Sequence, residues 1–154
     1  MPGYFFDTSA LVKLYHFEAG TSTVDQIASA PQNVIRISRL TAVELRSAFA
    51  IKVRTNVIDR QDADQVLRQF REEVAGGKFE IFSVGESEFA MADKLIERYA
   101  FDRHLRALDA LQLSIALELR DQDLIDFFVS ADRILGEVAG MEGLKVIDPE
   151  RSSS

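Results

Sequence analysis

Short apolar runs separated by longer stretches of helical period limit what this chain can become. "YFF", "NVIRIS", "FEIFSV", "DFFVS" and "LKVI" are rich in aromatic and β-branched residues and too short to be helices. Between them the spacing predicts helices from about Ser9 to Tyr15 and from near Gly20 to just before Pro31. Others run through "RLTAVELRSAFAIKVRT", from about Asp62 to Ala75, and through "ESEFAMADKLIERYA", "RALDALQLSIALEL" and "ADRILGEVAG". Gly76-Gly77 is a strong helix stop. Strands that alternate with helices pair in parallel and are covered on both faces. The expected fold is α/β: a three-layer α/β/α sandwich with a roughly five-stranded parallel sheet. One domain is expected over residues 1–149, with a disordered tail over 150–154. In such sheets ligands collect where strands end and helices begin, near a reversal of strand order.

Composition narrows the function classes. The chain of 154 residues suits one sizeable core, and its net charge of −7 argues against binding nucleic acid through bulk positive charge. Clustered carboxylates that hold metal ions can still reverse the sign locally. The absence of cysteine excludes disulfides, thiolate zinc sites and a cysteine nucleophile. No apolar stretch approaches the roughly 20 residues that span a membrane. With no secretory signal visible, the expected location is the cytoplasm.

Four acids stand where the hydrophobic pattern says the chain is buried. Asp7 closes the first strand and opens a helix. As a lone residue it reads as a helix cap, although Thr8 and Ser9 could share that job and leave it facing a crevice. Asp132 repeats the arrangement after "FFVS", where Ser130 is the expected cap and Asp132 a first-turn residue favoured by the helix dipole. Asp109 lies among aliphatic residues, on a face with Leu105, Leu108, Gln112 and Ala116, too far inside its segment to cap it. Its simplest partner is Arg106, one turn back. Glu44 has small and apolar neighbours and could form a capping box with Thr41.

Each position has a structural explanation, but the set is harder to dismiss. Two unit charges about 4 Å apart repel by roughly 4 kcal/mol at an effective dielectric near 20. The sequence offers no matching cluster of buried cations. Divalent ions would resolve the conflict, and all-oxygen ligands point to Mg²⁺ or Mn²⁺ rather than zinc.

In order, "FFDTSALVKLY", "TAVELRSAFA", "LRALDALQLSIAL" and "FVSADRIL" resemble the PIN-domain family, in particular VapC-type toxins of toxin–antitoxin pairs. The resemblance runs from about Tyr4 to Ile147. It implies a Mg²⁺- or Mn²⁺-dependent endoribonuclease with one or two ions and with Asp7, Glu44, Asp109 and Asp132 as the acidic site. It further implies a homodimer, neutralised by a small antitoxin protein. Many relatives have histidine where this chain has Gln112, a position expected to affect packing rather than catalysis.

In the expected chemistry Asp7, Asp109 and Asp132 hold metal directly or through water. Glu44 completes the cluster or orients the attacking water. Thr8 and Ser130 bond to a carboxylate or a bound water, while Arg106, Arg39 and Lys13 are candidate contacts for RNA phosphates. "RDQDLID" lacks the glycine turn and distal glutamate of a calcium loop, and His16 and His104 have no ligand spacing. A dehalogenase-type phosphatase needs a second acid two residues after the first, where this chain has Ser9. The remaining alternative is a PIN fold serving as a binding or regulatory module with little nuclease activity.

Overall fold

The computed structural model describes residues 1–151. Its strands are β1 (Gly3–Phe6), β2 (Val34–Ser38), β3 (Phe79–Phe82), β4 (Phe127–Val129) and β5 (Val146–Ile147). The helices are α1 (Thr8–Tyr15), α2 (Thr21–Ser29), α3 (Arg39–Arg54), α4 (Arg60–Ala75), α5 (Glu86–Tyr99), α6 (Ala107–Asp121) and α7 (Arg133–Met141). The strands form one sheet in the order β3-β2-β1-β4-β5, and every pairing is parallel. Among the described residues no helix is long and apolar enough to cross a membrane.

The order of the strands places the site. The chain begins in the middle of the sheet and builds outward through β2 to β3. It then returns through α5 and α6 to lay β4 against the free side of β1. The direction of building reverses at β1, so the carboxyl ends of β1 and β4 flank the switch point.

Both faces of the sheet are covered, as the period-2 alternation of side chains requires. Phe5 and its register partner Phe128 face one way, stacked at 5.8 Å, and pack with Leu95, Leu113 and Val138 from α5, α6 and α7. Phe6, Val129 and Ile37 face the other way, toward Leu11, Leu45 and Phe70 from α1, α3 and α4. Full burial of one such side chain is worth about 1.5–3 kcal/mol. These two layers clamp the strand ends from both sides and hold the switch point rigid. At the opposite, amino end of β1, Gly3 is fixed by close approach: a Cβ there would collide with the Leu124 carbonyl oxygen.

Two expectations about polar residues change. Lys13 is buried, pairing with Glu150 at 2.9 Å and Glu18 at 3.5 Å, so it is no contact for RNA. Its helix turns it inward, where the returning end of the chain neutralises it. Glu150 and Arg151 of the expected tail are thus in place, Arg151 pairing with Asp148 at 3.5 Å. The rest of that tail, 152–154, lies outside the described residues.

Candidate active site

Asp7 extends β1 by one residue, since its amide donates to the Val129 carbonyl of β4 at 3.2 Å. It is also the cap of α1, its Oδ1 accepting from the Ala10 amide at 2.9 Å and the Ser9 hydroxyl at 2.7 Å. The cap is therefore the acid itself rather than Thr8 or Ser9, because its extended backbone points the carboxylate at the open first turn. The Ser130 hydroxyl, directly after β4, donates to Oδ2 at 2.6 Å. Asp7 is buried, and no lysine or arginine pairs with it among the described residues. Burial pushes its carboxyl up to about 6; the bonds from Ser130, Ser9 and Ala10 oppose this, and the charge of Asp132 adds to it.

Asp132 caps α7, its Oδ1 accepting from the Leu135 amide at 3.1 Å. Ser130 does not cap that helix. Its hydroxyl turns to Asp7 and accepts from the Asp132 amide at 3.1 Å, which ties the two acids to one serine. Ser9 completes the link by accepting from the Ala131 amide at 2.9 Å.

Asp109 stands in the first turn of α6, three residues after the cap position Arg106 and not itself the cap. Its Oδ2 lies 3.4 Å from both the backbone amide and Nε of Arg106. The ion pair with Arg106 is therefore present, but the arginine is mostly exposed and the pair is weak. Burial raises the Asp109 carboxyl above its ordinary range, Arg106 opposes that, and Asp132 adds repulsion.

Glu44 is inside α3, not at its start. Ser38 caps that helix by accepting from the Leu40 amide at 3.0 Å, so Thr41 and Glu44 form no capping box. Glu44 Oε1 instead accepts from the Thr8 hydroxyl at 2.8 Å and from Gln112 Nε2 at 2.5 Å. Gln112 is buried, also donates to the Thr8 hydroxyl at 2.9 Å, and accepts from the Thr41 hydroxyl at 3.2 Å. Gln112 thus holds two site residues in place, where its sequence position suggests a packing role. Its signal was available: a fully polar residue three positions after Asp109, on the same face of an otherwise aliphatic helix.

All four acids line one cavity of about 550 Å³, together with Thr8, Ser9, Gln112 and Arg106. Lys13 and Arg39 are not part of it. Among the described residues, no three acid or imidazole side chains are close enough, as they stand, to hold one metal ion. The oxygen chemistry nonetheless suits a hydrated divalent ion. Glu44 Oε2, Asp109 Oδ1 and Asp132 Oδ2 accept no hydrogen bond from the described residues, and Asp7 Oδ2 accepts one. Mg²⁺ keeps several waters and takes only one or two carboxylates directly, so a spread ring of acids fits it.

Comparison with known proteins agrees with this fold. A family described as "PIN domain" matches residues 4–141. No curated protein matches the chain. Among solved structures it is similar to FitAcB from Neisseria gonorrhoeae, at 14% identity over 95% of this chain and 97% of that one, with a TM-score of 0.69. It is similar to VapC20 from Mycobacterium tuberculosis, a sarcin-ricin loop cleaving toxin, at 17% identity over 94% and 97%, TM-score 0.64. A toxin–antitoxin complex from Klebsiella pneumoniae aligns at 18% identity over 95% and 97%, TM-score 0.62. At these identities the likeness is one of fold, and it runs nearly end to end.

Proposed function

The chain belongs to the PIN domain family, and from that premise we propose that it is a Mg²⁺- or Mn²⁺-dependent endoribonuclease, the toxin of a toxin–antitoxin pair. Its substrate is RNA, its inhibitor a small antitoxin protein, its working form a homodimer and its location the cytoplasm. The observation that carries the reading is the buried carboxylate Asp7, with no lysine or arginine paired to it among the described residues, sharing one cavity with Glu44, Asp109 and Asp132. Solved structures of similar fold include a toxin that cleaves the sarcin-ricin loop and a toxin–antitoxin complex.

When bound, a divalent ion would lower the pKa of water and neutralise charge on the phosphate oxygens. Asp7, Asp109 and Asp132 would hold it, Asp7 already oriented by Ser130 and Ser9. Glu44, with one oxygen fixed by Thr8 and Gln112, keeps the other to orient the attacking water or complete the ligand set. Arg106 stands at the cavity wall, where it can meet a phosphate.

An RNA cleavage assay with Mn²⁺ or Mg²⁺, comparing the parent with Asp109→Asn, tests the reading. Metal-dependent cleavage by the parent, lost in the variant, is the expected result; equal cleavage by both would end it. A second reading, a binding or regulatory module, would also account for acids of which no three, among the described residues, stand together at an ion-holding distance. No cleavage by the parent and no Mg²⁺ or Mn²⁺ binding by calorimetry would decide for it.

Gln112 yields a separate prediction. Gln112→Leu removes both N–H donors that fix Glu44 and Thr8. Cleavage should fall about 10–100-fold, the usual cost of losing a residue that orients a metal-site ligand. Gln112→His keeps one ring N–H and should lose less. Steady-state rates of the variants against the parent provide the check.

A further inference from the structure

Positive charge without an ion pair among the described residues is concentrated on one arm of the molecule. Arg39, Arg46, Lys52 and Arg54 on α3, and Arg68 and Arg71 on α4, make no ion pair among the described residues. Elsewhere only Lys94 and Lys145 are in that position. In a chain of net charge −7 this segregation is not a general surface property.

Three of these arginines, Arg39, Arg46 and Arg71, surround a second cavity of about 370 Å³. Its apolar lining includes Leu67, Phe70, Val74 and Ile81. Arg39 and Arg46 lie two turns apart on α3, about 10 Å along the helix. Val43, between them, lines this cavity and the acid cavity alike, and it is 69% exposed. The two depressions therefore meet across a single exposed valine.

We propose that the RNA strand passes from the acid cavity over Val43 into this second depression, where Arg39, Arg46 and Arg71 hold the phosphates next to the scissile one. The proposal rests on the RNA-cleaving reading and names the surface that positions the substrate. A ring of carboxylates repels a polyanion, so a nuclease built on one needs cations beside it to gather substrate. Guanidinium planes also stack on unpaired bases, and an apolar floor accepts base faces. An acidic protein segment would suit the arginines too, but continuity with the acid cavity favours the strand being cut.

The test uses the full chain carrying Asp7→Asn, so that RNA is bound but not cut. Binding of a fluorescein-labelled single-stranded RNA is followed by anisotropy over a range of salt. Replacing Arg39, Arg46 and Arg71 together by glutamine should weaken binding at least tenfold at low salt. It should also flatten the dependence of log K on log salt by about 2, because each lost phosphate contact on a single strand removes about 0.7. Lys94→Gln with Lys145→Gln should change neither. Unchanged RNA binding in the arginine variant overturns the proposal, as does an equal loss in the lysine variant. So does a groove that binds polyglutamate through these arginines while RNA binding is unaffected. With the Asp7 acid restored, the arginine variant should lose more of the parent's rate on a long RNA than on a dinucleotide. If the parent cuts neither, the nuclease reading fails, and the binding experiment still reports on the groove.

Discussion

Asp7→Asn should abolish RNA cleavage, lowering it by about 1,000-fold or more, while the protein remains folded and gains stability at neutral pH. Activity falls because Asp7 is the acid most enclosed in the cavity and the one tied to the end of β4 through both its amide and its carboxylate. An amide is a poor ligand for a divalent ion compared with a carboxylate. The fold survives because asparagine also caps helices well and keeps an oxygen for the Ala10 amide and the Ser9 hydroxyl. Only the side facing Ser130 changes from acceptor to donor, and the hydroxyl can rotate to accept.

The gain in stability follows from the sign of the titration. Asp7 moves from 3.8 to about 6 on folding because burial disfavours its charged form. The folded chain therefore binds the proton more tightly than the unfolded chain between those values. The stabilising contribution of protonated Asp7 is complete below about pH 3.8 and is lost as pH rises through about 6. The loss amounts to about 3 kcal/mol. Thermal melts of the parent in EDTA should show it as a declining Tm between pH 4 and 7, relative to Asp7→Asn, which lacks the titrating group. A parent and variant with superimposable pH profiles would contradict the burial argument.

The sequence made the layers of this fold legible but not the joints between them. Each apolar run became a strand because it was short, β-rich and flanked by helical periods. The strand order was not readable, since parallel crossovers leave no local mark of which neighbour they pair with. Capping was misjudged for a related reason. β2 runs straight into α3, so Ser38 is at once strand end and cap, and Thr41 is released to bond Gln112. The acids were recognisable because charge in apolar context costs free energy wherever the chain goes. Gln112 was not, because a neutral amide raises no such alarm until α1, α3 and α6 converge on it. Lys13 misled in the opposite way: its neutralising partner, Glu150, is remote in sequence.

Chelation is the second large effect expected. EDTA should reduce cleavage to background, and Mn²⁺ or Mg²⁺ should restore it in the parent but not in Asp7→Asn. The same linkage has a readout that needs no substrate. To hold a cation, Asp7 must give up its proton, so binding becomes tighter as pH rises through about 6. At a concentration one hundred times the dissociation constant, a ligand stabilises the folded state by about 2.7 kcal/mol. For a domain of this size that is a rise in Tm of about 5–10 °C. The rise should be large at pH 7.5 and small at pH 5. It should vanish in Asp7→Asn at either pH. Metal-independent cleavage, or a Tm shift of equal size in parent and variant, would show that the four acids do not act as a cation site and that their repulsion is relieved by protons alone.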